Sequence, residues 1–230
     1  MSQQLIDLDL GTDAKILNLR ADDLTLGGVL QPRVVHKGTW ASRPTTGLTA
    51  GDIAVITDYG AAGRSEWFWN GTRWMRDSEL EIYSNGLIDV SSSAVAETGL
   101  LTVVVKAGSL GPNGSLIWEF YETHTNNAAN RAMRLRIGAG AWSTSHTQMW
   151  NNNVSTTTQS NGFAGFRNKN SESAQIARVV PFQFGLGPTT GTPSEATIDT
   201  TADFNVTFSV VSDGTQSLTL KHARVLIKSA

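Results

Sequence analysis

Residues 115–121 read SLIWEFY, and the pattern has a period of two. Leu116, Trp118 and Phe120 fall on one side of an extended chain, and Ile117, Glu119 and Tyr121 on the other. Just upstream, Leu101 to Lys106 is a continuous β-branched, apolar run. It suits a strand deep in a sandwich, although pattern alone leaves a buried helix open. Gly108, Gly111, Pro112 and Gly114 lie between the two stretches, where they forbid helix and supply turn geometry. The arrangement recurs near the C-terminus. Phe204, Val206, Phe208 and Val210 alternate with Asn205, Thr207 and Ser209, Asp213-Gly214 marks a turn, and Ser217 to Lys228 returns as a strand. In that last strand Leu218 and Leu220 share one parity while Val225 and Ile227 have the other, which predicts a β-bulge near His222. Both pairs are expected to be hairpins framing one antiparallel β-sandwich over residues 82–230.

Composition narrows the function classes. Of 230 residues only 17% are charged, the formal net charge is −2, and no run of Lys and Arg occurs. Such a surface offers a polyanion little, so nucleic acid is not an expected partner. There is no cysteine, so stability must come from packing or assembly. No apolar run approaches the ~20 residues of a membrane span, and no membrane insertion is expected. The opening MSQQLIDLDL lacks the basic and apolar blocks of a secretory signal, which predicts synthesis in a cytoplasm.

Residues 1–32 do not read as a globular domain. Ile6, Leu8 and Leu10 alternate with Asp7 and Asp9, Leu17 and Leu19 flank Asn18, and Leu24 and Leu26 flank Thr25. These are short strands with one apolar face and no partner of their own. An unpaired apolar edge is an aggregation hazard, and symmetric assembly removes it. The segment is therefore expected to be an extended attachment or oligomerisation arm; packing on its own downstream domain is the alternative. Residues 33–78 read as a small β module with strands at Ile53 to Thr57, Glu66 to Trp69 and Arg73 to Met75, the last two joined by an Asn70-Gly71 type I′ turn. Trp67 and Trp69 share a face and Trp74 lies across the turn from them. Asp77 to Glu81 reads as a linker. Within the sandwich, Met133, Leu135 and Ile137 alternate with Arg134 and Arg136, and Ala177 to Phe184 forms a further strand with Pro181 at an edge or bulge.

Residues 38–76, with GTWASRP, then GDIAVITD, then SEWFWNGTRWM, resemble a small module of bacteriophage tail-fibre and virion-appendage proteins. Its parts are a Gly-Thr-aromatic-x-x-Arg-Pro opening, a strand ending in Thr-Asp, and a Trp hairpin; Trp67 to Trp74 differs from the usual hairpin by one residue in spacing. Residues 98–228 resemble the jelly-roll-like domain that often follows, through TGLLTVVVKAGSLGPNGSL, the Asn/Ala-rich segment before RLRIG, and IDTTADFNVTFSVVSDGTQSLTLKHARVLI. The resemblance implies an all-β virion appendage such as a tail fibre, receptor-binding tip or head fibre, usually a homotrimer. Its arm would dock to a phage capsid or tail protein and its C-terminal domain would meet the host surface. A capsid decoration protein or head fibre with a mainly structural role is the alternative, and a polysaccharide-degrading tailspike a further one. The chain is too short for a long shaft.

Chemistry is sparse. A glycosidase needs two carboxylates across a cleft; Glu119 and Glu122 have opposite parities and read as solvated or edge residues, so no catalytic residue is expected. His36, His124, His146 and His222 lack metal-ligand spacing, and Asp7, Asp9 and Asp13 with Gly11 echo a calcium loop only weakly. Neither a metal nor another cofactor is expected. Sugars stack on indole faces and bond to amide and hydroxyl groups. Trp142, Trp150, Asn151, Asn152 and Asn153 combine both in one expected exposed segment, 142–158, and are the candidate glycan contacts, with core packing of the two tryptophans the other possibility. For Trp67, Trp69 and Trp74, core packing is the expectation, and for Arg131, Arg134 and Arg136 a solvated strand face.

Overall fold

The alternation at 115–121 lies at the centre of the larger of two facing sheets. A computed structural model describes residues 25–26, 29–30, 34–124, 131–154, 158–178 and 194–230. Among them every regular element is a strand. The chain divides into two units, residues 1–32 and 33–230. In the first, β1 (Thr25–Leu26) pairs antiparallel with β2 (Val29–Leu30), Leu26 opposite Val29. Leu26 thus lies on a strand that does have a partner in its own chain. Ile6, Leu8, Leu10, Leu17, Leu19 and Leu24 lie outside the described residues, as do Asp7, Asp9, Asp13 and Pro181.

The second unit opens with a four-stranded sheet of β3 (Val34–Gly38), β4 (Ile53–Ile56), β5 (Ser65–Trp69) and β6 (Trp74–Met75), in that order. The first pair is parallel and the others are antiparallel. Trp69 opposes Trp74 directly, so the connection is the four residues Asn70–Arg73 and not a two-residue turn. The Asn70 side chain explains the wider loop, because its Oδ1 accepts from the backbone N–H groups of Thr72 and Arg73, each at 2.9 Å. Trp69 and Trp74 meet edge to face at 5.5 Å, while Trp67 packs against Trp40 at 4.5 Å and Tyr59 at 6.1 Å.

The rest is a sandwich. Its strands are β7 (Leu80–Asn85), β8 (Val90–Ser92), β9 (Thr98–Val105), β10 (Ser115–His124), β11 (Arg131–Gly138), β12 (Thr147–Val154), β13 (Gln159–Asn168), β14 (Gln175–Arg178), β15 (Glu195–Ala196), β16 (Phe204–Val211) and β17 (Leu218–Lys228). The larger sheet runs β15-β14-β13-β10-β17-β7, with β8 also on β17, and the smaller runs β12-β11-β16-β9. Consecutive strands repeatedly change sheet, and the order is that of a jelly roll. Leu80 and Glu81, expected in a linker, already belong to β7.

Neither expected hairpin exists. β9 and β16 pair with each other in the smaller sheet, while β10 and β17 pair in the larger. The Gly108–Gly114 and Asp213-Gly214 segments are corners between layers. Both strands of each pair point apolar residues at one shared interior, a pattern that facing sheets satisfy as well as adjacent strands. At the second corner, Asp213 Oδ1 accepts from the backbone N–H of Thr215 at 2.9 Å and of Gln216 at 3.0 Å, holding a bend too wide for a two-residue hairpin. β9 is an edge strand and not a deep one, and Val104 points outward. The bulge expected near His222 is present: Tyr121 opposes His222 but Glu122 opposes Leu220. The interior is aromatic, with Trp118 and Phe120 against Phe208 at 6.2 and 5.2 Å.

The loops of the small sheet fasten it to the jelly roll at the first corner. Trp40 donates its indole N–H to Ala107 O at 3.0 Å, and Asp58 Oδ1 accepts from Trp40 N at 2.6 Å. The Tyr59 hydroxyl meets Ser109 Oγ at 3.0 Å. Arg43 stacks on Trp40 with its guanidinium 3.6 Å from the ring centroid; burial pulls its pKa down to about 10, although Asp203 opposes the shift. Burial likewise pushes the Tyr59 phenol up.

Candidate functional site

Of the five candidate glycan contacts, the structure brings three to the outer face of the smaller sheet and turns two inward. β12 is a strand where an exposed segment was expected, and its register on β11 sets every side chain. Trp150 opposes Leu135 and Asn152 opposes Met133, both inward-facing and buried partners. Trp150 therefore packs in the core, 5.5 Å from Phe120, and offers no face to a sugar; Asn152 is buried too. Asn151 opposes Arg134 and Asn153 opposes Ala132, on the outside. Clustered Asn residues read as loop, yet on this edge strand Asn151 and Asn153 take the solvent side.

Trp142 comes from the connection between β11 and β12, which folds back over the outer face. A Cβ at Gly99 would stand 3.1 Å from the Trp142 ring, and one at Gly138 would stand 2.4 Å from His146. Each glycine leaves room for a ring to lie on the sheet. The two rings meet edge to face at 6.1 Å, and His146 Nε2 is 3.1 Å from Ala139 O. Trp142 is half-buried in this seat.

Beside it lies a network centred on Glu97. Its carboxylate accepts from Arg134 Nη1 at 2.5 Å, Arg136 Nε at 2.6 Å and Nη2 at 2.8 Å, and Ser209 Oγ at 2.6 Å. Burial alone would raise the Glu97 pKa; the hydrogen bonds from Arg136, Ser209 and Arg134 outweigh it and hold the carboxyl below its usual 4.5. Arg134 Nε also donates to Asn151 Oδ1 at 3.0 Å, and Arg136 Nη1 to His146 O at 2.7 Å. The two arginines are thus occupied by an internal carboxylate, where a solvated strand face was expected. Parity alone could not reveal Glu97, which reaches the face from outside the strand.

Arg131 departs further from that expectation, since it is buried at one end of the sandwich interior. There the inward face of β10 continues past Phe120 to Glu122 and His124. Glu122, expected to be solvated, is fully buried, and His124 Nδ1 lies 2.8 and 2.9 Å from its two carboxylate oxygens. Glu119, on the outer face, faces Arg224 at 3.5 Å. The two carboxylates are therefore on opposite sides of a sheet and share no cleft. Among the described residues no group of three or more His, Asp or Glu side chains is placed to hold a metal.

No protein-family model matches the chain, and no curated protein matches it significantly. Solved structures that align include the infectious bursal disease virus Gx strain, with a TM-score of 0.32 and 9% identity over 70% of this chain and 34% of that one. The infectious bursal disease virus VP2 subviral particle aligns with a TM-score of 0.33 and 13% identity, over 82% of this chain and 42% of that one. The chain therefore spans less than half the length of the solved chains it matches.

Proposed function

We propose that the chain is a non-enzymatic structural part of a bacteriophage virion, an appendage that docks to the particle through residues 1–32 and presents the jelly roll outward to the host surface. One observation carries this reading. Residues of the stretch that resembles an appendage module, Trp40, Arg43, Tyr59 and Arg73, bond to the jelly roll at Ala107, Ser109 and Glu172, and Asp58 holds Trp40 in place for this. A module and a β-sandwich joined through the motif itself is the two-part arrangement the resemblance implies, and jelly rolls serve in both viral shells and carbohydrate-binding proteins. The fold by itself assigns no function. The leucine-striped arm supplies the reason for assembly into a homotrimer, and three linked copies would add avidity to weak individual contacts.

Deletion of residues 1–32 tests the docking role. Particles assembled with the shortened chain are expected to lose it, while full-length protein in solution scatters light as three times its 24.7 kDa mass. Retention of the shortened chain on particles, with a full-length monomer in solution, would overturn the reading. Particles that hold the full chain but adsorb to hosts equally well without it would reduce its role to decoration of the shell.

A further inference from the structure

The larger sheet carries on its outside a groove of about 620 Å³, away from the face described above. Its floor follows from the register. Ser115 on β10 opposes Arg167 on β13 and Lys228 on β17, so the three side chains stand in one row across three strands. Ile176 on β14 extends the row beyond Arg167, and Glu79 lines the groove with them. A short hydroxyl between two long cationic side chains leaves a trough, and adjacent strands ~4.8 Å apart put the two cations within reach of one ligand group above Ser115.

Arg64, Arg73, Lys106, Lys169, Lys221 and Arg224 all face a carboxylate in an ion pair. Among the described residues neither Arg167 nor Lys228 does, although both border the same cavity. Two like charges held either side of a hydroxyl repel one another, and an anionic group bridging them would relieve that repulsion. Glu79 and Ala230 line the same groove, and the Glu79 carboxylate repels a doubly charged phosphate more than a singly charged carboxylate. The planar Arg fork suits a carboxylate geometrically. Asn113 and Glu79 offer partners for hydroxyl groups, and Ile176 a small apolar wall for a ring face.

We propose that this groove binds a carboxylate-bearing sugar of a surface polysaccharide, with Arg167 and Lys228 on the carboxylate and Ser115 beneath it. The proposal rests on the host-facing role of the jelly roll and names its ligand class. Titration calorimetry of the full chain with oligogalacturonate tests it, with neutral dextran and inorganic phosphate as parallel probes. Oligogalacturonate is expected to bind and dextran not to. Arg167→Ala and Lys228→Ala should each weaken binding roughly tenfold, the loss of one charge-assisted contact. Lys221→Ala removes the same charge elsewhere and should leave affinity unchanged. Absence of oligogalacturonate binding, an equal loss in Lys221→Ala, or phosphate binding as tightly as the sugar would each overturn the proposal. Particle adsorption separates it from the broader reading. If particles with the Arg167→Ala/Lys228→Ala chain adsorb as well as unaltered ones, the groove is the wrong site while host binding stands; if unaltered particles do not adsorb through this chain at all, host binding itself fails.

Discussion

Replacing Glu97 by alanine removes the one carboxylate that organises the outer face of the smaller sheet. Its side chain is only 6% exposed, and it accepts from three residues. A hydrogen bond to a charged group is worth ~1.5–3 kcal/mol net, and removing one partner of a buried pair costs ~3–5 kcal/mol. The contributions do not add in full, because the arginines keep other partners: Arg134 keeps Asn151, and Arg136 keeps the His146 carbonyl. Glu97→Ala is therefore expected to lose about 3 kcal/mol, and Glu97→Gln, which retains one carbonyl acceptor, about half as much. Urea unfolding at pH 7 measures both, read as a fall in midpoint at constant slope. The double variant Glu97→Ala/Arg136→Ala should lose at least ~1 kcal/mol less than the sum of the two single losses. Folding depresses the Glu97 pKa, so its contribution is complete above the usual carboxyl value of 4.5 and fades as pH falls through the lower folded value. The difference between Glu97→Gln and the unaltered protein should therefore shrink in acid below that point. A Glu97→Ala protein within ~0.5 kcal/mol of the unaltered one, the range of ordinary surface substitutions, would mean that the Glu97 network adds nothing to stability.

Trp150→Ala should destabilise by ~3–5 kcal/mol in the same assay, as a buried aromatic does, whereas Trp142→Ala, half-buried over Gly99, should lose clearly less. Equal losses would place Trp150 on the surface. Gly165→Ala puts a Cβ 2.2 Å from Leu116 O in the paired strand and should lower stability by at least ~1–3 kcal/mol, measured as a fall in urea midpoint. Tyr59→Phe leaves the Ser109 hydroxyl buried without its tyrosine partner, an expected loss of ~1–3 kcal/mol; no change in thermal midpoint would mean the joint to the small sheet is carried by its other contacts, those of Trp40, Arg43 and Arg73.

Much of the fold was legible because a period of two is a strong signal. Leu116, Trp118 and Phe120 point inward as their parity requires, and the slip between Leu220 and Val225 located a real bulge. Parity says which residues share a face, but not which strand lies alongside. A corner between facing sheets and a hairpin within one sheet leave the same trace, so β9–β10 and β16–β17 read as hairpins. Parity also does not say where the core stops, which is why Glu122 looked solvated although the inward face of β10 runs on to His124. The candidate binding residues divided for a related reason. An Asn-rich stretch resembles a loop in composition, yet its register on β11 sends Trp150 and Asn152 inside and Asn151 and Asn153 outside. The Arg167–Ser115–Lys228 row joins residues from three strands far apart in the chain, and only the register of the sheet brings them together.

The role proposed for this chain is that of a structural component of a virus particle. Quantitative mass spectrometry of gradient-purified particles, with peptides from residues 33–230 counted against those of the major shell protein, decides it. A fixed copy number per particle, in a multiple of three and unchanged by a high-salt wash, is the expected result. Peptides that stay in the lysate and leave the particle fraction empty would contradict it.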